Sequence, residues 1–250
     1  MLYICIPAFN EAPTVGLLLW RIRKVFEEHS REYEILVLDD GSTDATAETL
    51  KPYTEVLPLS ILRNERQGGY AAALDTLARA VNARTRYPRR DAMIVMQGDF
   101  TDQPEHLPEL SKRFEGGADL VVAEQGATPR NAPPAVRRLR RVAPWLLRPF
   151  VKVPASADAL RSFRLYRIAV VRDLLKEAGD GPVTRWRGWA ANVELLVRAA
   201  RFSRRIETAN LEPRYDLRPR PSRVRAFTEA VDLYRFGRAS RAGRISTTST

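Results

Sequence analysis

The chain has 250 residues, 44% of them hydrophobic and 28% charged, which is enough to bury a sizeable core and excludes a chain disordered throughout. Lysine and arginine number 41 against 30 aspartate and glutamate, a formal net charge of +11. That excess suits an anionic partner without choosing among nucleic acid, anionic lipid and a phosphorylated substrate.

The single cysteine, Cys5, excludes an intrachain disulfide and sits in an apolar run as a small core residue would. No apolar stretch reaches the length of a membrane span, and no secretory leader precedes the first strand-like segment. The chain is therefore expected to be cytoplasmic, with peripheral contact at the inner face of a membrane left open.

In chain order, Leu2–Pro7 is a short β-rich apolar run, and Ala12–Glu28 places Val15, Leu18, Leu19, Ile22, Val25 and Phe26 at helical spacing. Glu34–Leu38 is a second buried-type strand ending at Asp39-Asp40-Gly41. Ser42, Thr43 and Asp44 are expected to cap a helix from Ala45. Leu59–Leu62 is a third strand, Tyr70–Val81 an alanine-rich helix and Ala92–Met96 a fourth strand. Asp102, Pro104 and Glu105 open a helix to Phe114, and Asp119–Ala123 is a fifth strand.

Strands separated by helices predict an α/β fold: a Rossmann-like, mostly parallel sheet with helices on both faces. Ligands of such sheets bind beyond the carboxyl ends of the strands.

After Ala123 the alternation stops. Pro133–Val151 reads as a basic amphipathic helix with Trp145, Leu146, Leu147 and Phe150 on it. Arg161–Ala178 reads as a strand and helix, Ala190–Ala200 and Ser222–Phe236 as helices, and the last residues as a disordered tail. Arginine crowds 130–172 and again 214–244. One domain is expected over 1–213, with a basic helix and tail over 214–250.

The strand ends carry polar, turn-forming text. The first gives Pro7-Ala8-Phe9-Asn10-Glu11 and the second Asp39-Asp40-Gly41-Ser42-Thr43-Asp44. The third leads to Gly68-Gly69-Tyr70, and the fourth gives Gln97-Gly98-Asp99-Phe100-Thr101-Asp102. Each alone is also what an ordinary capped turn looks like.

Together, and in this order, they resemble the family 2 glycosyltransferases, especially the dolichyl- and polyprenyl-phosphate sugar synthase branch. The likeness runs on through Gly-Ala-Asp-Leu-Val-Val-Ala, Asp158-Ala-Leu-Arg-Ser-Phe-Arg164 and Val193-Glu194, and covers about Leu2 to Pro213. It implies a single-domain GT-A fold, with 1–123 holding a nucleotide sugar and 124–213 facing the acceptor.

By the same resemblance, Pro7, Phe9, Glu11 and Asp39 hold the donor's base and ribose with Asp40 in support. Gly68 and Gly69 let backbone approach the donor. Gln97, Gly98 and Asp99 take the place of the family's Asp-x-Asp metal motif. Gln97 stands where the first acid is usual, so Mg²⁺ or Mn²⁺ is expected on Asp99 and is expected to be held weakly.

On the acceptor side, Arg164 and Arg161 match the family's Ser-Gly-Phe-Arg segment, and Asp158 the acid before it. Arg130, Arg137 and Arg138 lie where phosphate-acceptor members present cations. An arginine-rich solvated helix face would read the same way, although Trp145 and Phe150 suit a lipid interface.

The expected reaction is transfer of a sugar from a UDP- or GDP-sugar with inversion, to a polyprenyl phosphate or else a soluble anionic acceptor. An ionised phosphate needs no base. A hydroxyl would need one, and Asp158 is the candidate.

No nucleic-acid motif accompanies the arginines, so no nucleic-acid partner is expected. His29 and His106 have neither triad nor zinc spacing. A sugar-phosphate nucleotidyltransferase would need a glycine-rich first loop that Pro-Ala-Phe-Asn-Glu replaces. Gln97 leaves open a non-catalytic binding module on the same scaffold.

Overall fold

The computed structural model describes residues 1–147, 158–218 and 222–241. Its strands are β1 (Leu2–Ala8), β2 (Tyr33–Asp39), β3 (Leu59–Arg63), β4 (Ala92–Val95), β5 (Leu120–Glu124), β6 (Arg164–Arg167) and β7 (Ile206–Asn210). Among the described residues they form one seven-stranded sheet in the order β3-β2-β1-β4-β6-β5-β7. The helices are α1 (Ala12–Glu28), α2 (Thr46–Leu50), α3 (Tyr70–Arg84), α4 (Leu107–Glu115), α5 (Pro134–Leu147), α6 (Ile168–Ala178), α7 (Gly188–Phe202) and α8 (Ala226–Arg241).

The period-two pleat sends alternate residues of the central strands into two separate cores. Tyr3 and Cys5 of β1 face a core shared with α3, α5, α6, α7 and α8. Leu2, Ile4 and Ile6 face a second core with α1 and α4. Because both faces are covered, β1, β2 and β4 are apolar at nearly every position. The stripe read in α1 is its buried face, with Val15, Leu18, Leu19, Ile22, Val25 and Phe26 all inside.

Three departures from the sequence reading matter for the site. Strand β6 is antiparallel to both neighbours, with Val95 opposite Arg164. Its start therefore lies at the carboxyl edge of β4, which carries residues 158–163 alongside the Gln97–Asp102 loop. Strand β7 was not expected. It is a parallel edge strand beside β5 in which Ala209 is the buried residue, so it lacks an apolar pattern.

Of the expected caps of α2, Asp44 serves its first residue, Thr46, while Ser42 and Thr43 are spent elsewhere. Ser42 Oγ accepts the Asn10 N–H (2.9 Å), and Thr43 N–H donates to Asn10 Oδ1 (2.8 Å). Asp44 accepts from Thr46 N–H and Ala12 N–H. Asp102 does not cap the following helix but pairs with Arg161. The expected continuation of α5 through Phe150 to Val151, and the tail beyond Arg241, lie outside the described residues.

Candidate active site

The parallel register ends β1, β2 and β3 level with one another, Ala8 beside Asp39 and Asp39 beside Arg63. The loops that leave these strands and β4 thus emerge on one edge, and a cleft opens there. One chamber of about 270 Å³ is lined by Pro7, Phe9, Glu11, Asp40, Gln97 and Asp99 on the sheet side. A second of about 130 Å³ adds Gln125, Arg140, Arg161, Ser162 and Tyr215. Gln97, Asp99, Trp189, Asn192 and Arg218 line both, so the chambers meet over the β4 loop.

The first chamber's wall is a set of interlocked turns. Asn10 takes a left-handed φ of 52°, which an asparagine tolerates. This turn lets its backbone and amide engage Ser42 and Thr43, tying the β1 loop to the β2 loop. Glu11 is buried at the start of α1, accepts from Thr14 Oγ1 (3.2 Å) and lies 3.9 Å from Arg223 Nη1. Arg223 also donates to the Phe9 carbonyl (2.6 Å) and stands over the Phe9 ring.

The paired aspartates divide their work. Asp39 is fully buried; Oδ1 accepts Ser42 N–H (2.9 Å), while Oδ2 has no hydrogen-bond partner among the described residues and lies 3.5 Å from Arg63 Nε. Asp40 accepts Asn64 Nδ2 and Gly68 N–H through Oδ1, and Gly69 N–H through Oδ2 at 2.7 Å. Gly69, with φ 88°, begins α3 from a conformation that a side chain would strain.

Gly68 and Gly69 therefore serve Asp40 and the turn, and neither lines the cleft. Gly98 lines neither chamber; a Cβ added there would meet Ile6 and Glu11 at ordinary contact distance.

In the β4 loop, Phe100 adopts φ 65° while buried, a strained conformation for a bulky residue. The bend brings Asp99 into the cleft with Oδ1 on Thr101 N–H (3.1 Å) and Oδ2 2.6 Å from Arg218 Nη2. Gln97 donates through Nε2 to Ser162 Oγ (2.7 Å). Asp102 is buried, and desolvation pushes its carboxyl up against the opposing pull of Arg161.

The residues present do not fit a divalent ion in this arrangement. Asp99 is already engaged on both oxygens, Gln97 brings no charge, and Asp102 is saturated by Arg161 and Gln97 N–H. Among the described residues no group of three His, Cys, Asp or Glu side chains is arranged to hold a metal.

On the acceptor side the expected residues separate. Arg164 is fully buried and donates to the carbonyls of Ala159 (2.7 Å) and Asn192 (2.6 Å), so it braces the 158–163 segment and does not face the cleft. Arg161 lines the second chamber, but its guanidinium is spent on Asp102 and on the carbonyls of Glu124 and Leu211. Both corrections share one cause: a guanidinium this deep turns most of its donors to nearby carbonyls and carboxylates, only Nε of Arg164 being left without a hydrogen-bond partner among the described residues.

Arg130, Arg137 and Arg138 are exposed, outside both chambers. Asp158 is buried in an ion pair with Arg140, and it is Arg140 that reaches the cleft. Trp189 and Asn192 were missed as site residues. Arg140, Arg218 and Arg223 had a signal only in their places in the two basic runs, which did not single them out.

The fold and this edge are those of a GT-A glycosyltransferase. The chain matches the Glycosyl transferase family 2 model over residues 3–175, and it belongs to that family. It is 27% identical over 211 residues to the prophage bactoprenol glucosyl transferase homolog of Escherichia coli (strain K12), and 28% over 211 residues to the bactoprenol glucosyl transferase of Shigella phage SfV. Each match covers 80% of this chain and 64% of the relative, so the chain spans less than two thirds of their length.

Among solved structures it resembles glucosyl-3-phosphoglycerate synthase from Mycobacterium tuberculosis, in complex with Mn²⁺, UDP and glucosyl-3-phosphoglycerate. That match has a TM-score of 0.65 and 20% identity, covering 100% of this chain and 81% of the other. The S. aureus TarS 1-349 complex with UDP-GlcNAc gives a TM-score of 0.57 at 15% identity, over 97% and 69%.

Proposed function

We propose that the chain is an inverting glycosyltransferase that takes a sugar from a UDP- or GDP-sugar and passes it to a polyprenyl phosphate. The observation that carries this reading is the two-chambered cleft at the strand ends, whose chambers meet at Gln97, Asp99 and Arg218. Two substrates entering from opposite sides would bring an anomeric carbon and an attacking oxygen together there, as in-line displacement requires. The bactoprenol glucosyl transferase relatives and the UDP complexes of the structural neighbours favour the same substrates.

In this reading, residues 1–123 hold the donor and 124–213 serve the acceptor, with 214–250 as a basic addition. Pro7 and Phe9 offer apolar surface to the base. Asp39 lines neither chamber; its Oδ2 atom, without a hydrogen-bond partner among the described residues and 3.5 Å from Arg63 Nε, would accept a base imino N–H once the exposed Arg63 side chain moved aside. Glu11 and Asp40 line the chamber near the ribose, with Asp40 holding Gly68 and Gly69 in place.

The likeness implies Mg²⁺ or Mn²⁺ on Asp99. With Arg218 on that carboxylate the residues do not fit the ion, and no step is routed through it.

A phosphate acceptor fits the second chamber better than a hydroxyl does. Arg140 lines it as a cation, while Asp158, the candidate base, is turned into its pair with Arg140 and lines neither chamber. Arg130, Arg137 and Arg138 would then attract the anionic acceptor from outside. A lipid acceptor also calls for contact with an anionic membrane surface; none of the helices described is long and apolar enough to cross one.

The test is a donor screen by thermal shift over UDP- and GDP-sugars, followed by release of nucleoside diphosphate with a short polyprenyl phosphate added. Binding to the folded state raises apparent stability in proportion to ln(1 + [L]/Kd). A shift with one donor and acceptor-dependent turnover is expected. Donor binding with no turnover on any acceptor would favour a binding module instead.

A further inference from the structure

We propose that Arg218 supplies the positive charge that neutralises the donor's diphosphate, at the position where the family likeness places a divalent ion, and that Asp99 acts to seat this arginine. The inference rests on the nucleotide-sugar reading above.

Arg218 Nη2 stands 2.6 Å from Asp99 Oδ2, and the two side chains are 10% and 5% exposed. A charge pair so far withdrawn from water is costly unless its remaining donors are satisfied. Yet the buried Nε of Arg218 has no hydrogen-bond partner among the described residues. The guanidinium lines both chambers. It thus stands between the Phe9 wall, where the base would rest, and the Arg140 side, where the acceptor would enter. A diphosphate linking base and sugar has to pass this point.

The chemistry of the β4 loop points the same way. Mg²⁺ demands near-octahedral oxygen ligation, but this loop offers an uncharged Gln97 bonded to Ser162 and an Asp102 held by Arg161. An ion on Asp99 would share that carboxylate with a guanidinium, cation against cation. A planar guanidinium matches two phosphate oxygens at once, and it carries its charge at every accessible pH.

In the transfer, the bond from the anomeric carbon to the diphosphate oxygen breaks with its electron pair left on that oxygen. The acceptor oxygen bonds to the same carbon from the opposite side. Negative charge grows on the departing diphosphate, and donors already in place there stabilise it without reorganising.

The measurement is calorimetric binding of UDP and of uridine to the full chain, in EDTA and in Mn²⁺, for wild type and Arg218→Ala. Wild type is expected to bind UDP equally well in both media. Arg218→Ala should weaken UDP roughly 10- to 100-fold, the size of a lost hydrogen bond to a charged group, and leave uridine unchanged.

UDP binding that vanishes in EDTA and returns with Mn²⁺ would overturn the proposal, as would Arg218→Ala with wild-type UDP affinity. The EDTA comparison uses wild type alone and can overturn the proposal even if the variant fails to fold; Arg218→Lys, which keeps the charge for Asp99, then serves as the second variant. A wild-type chain that binds neither UDP nor GDP, with or without Mn²⁺, would bring down the donor reading itself, and this proposal with it.

Discussion

Asp39 has separate duties on its two oxygens. Oδ1 holds the turn through Ser42 N–H, and Oδ2, 3.5 Å from Arg63 Nε, is the acceptor proposed above for the donor's base. Asp39→Asn keeps an oxygen for Ser42 and removes the charge. It should leave the thermal midpoint nearly unchanged while UDP affinity falls by about tenfold or more, as loss of a charge-assisted hydrogen bond implies. Calorimetry on the folded variant checks this, and unchanged affinity would remove Asp39 from the donor site. Arg164 makes the opposite case. Arg164→Met leaves the carbonyls of Ala159 and Asn192 without their donor, at about 1–3 kcal/mol for each buried group. Urea unfolding should show that loss, with the Michaelis constant for acceptor little changed. A stable variant with weakened acceptor binding would return Arg164 to the acceptor side.

At the scale of elements, α5 and α8 pack together, with Leu139 and Ala143 of α5 and Leu233 and Phe236 of α8 in one core. Their outer surfaces leave Trp145 82% and Phe227 83% exposed, and Arg137, Arg138 and Arg141 lie exposed on α5. Apolar bulk beside basic residues suits an anionic lipid surface, where each arginine contributes about 1 kcal/mol. Co-sedimentation with anionic liposomes is expected, weakening as salt rises and falling strongly in the Arg137→Gln, Arg138→Gln, Arg141→Gln triple variant. Arg140 is left intact because it pairs with Asp158 and lines the cleft. A chain that stays in the supernatant at low salt would favour a soluble anionic acceptor.

Across the whole molecule, the pH response should carry the mark of His106. Burial, and then the nearby Arg161 charge, hold its pKa below the ordinary value of 6.5, and its buried Nδ1 has no hydrogen-bond partner among the described residues. The unfolded chain therefore takes up the proton first as pH falls through about 6.5. Folding stability is complete above that pH and declines below it. Unfolding free energies by urea at pH 7.5 and 5.5 should show the decline, and His106→Gln should make it shallower. An equal decline in the variant would assign the effect to other groups.

The alternation of apolar runs and the text at the strand ends were enough to read the sheet with its two covered faces, and the edge where the cleft opens. Both follow from local patterns: a strand buried on two faces must be apolar throughout, and the turn beyond it must be polar. Pro7, Phe9, Glu11, Asp40, Gln97 and Asp99 were legible as cleft-lining residues for that reason, since each lies at the carboxyl end of a strand or in the turn beyond it. Which guanidinium reaches the cleft was not legible. Arg140, Arg161 and Arg164 look alike in sequence, and only the antiparallel course of β6 and the depth of each side chain decide which must satisfy its own backbone. Arg218 meets Asp99 across more than a hundred residues of chain. That meeting depends on how the segment between β7 and α8 lies across the β4 loop, where Arg214 N–H donates to the Thr101 carbonyl; this is long-range packing and leaves no periodic trace.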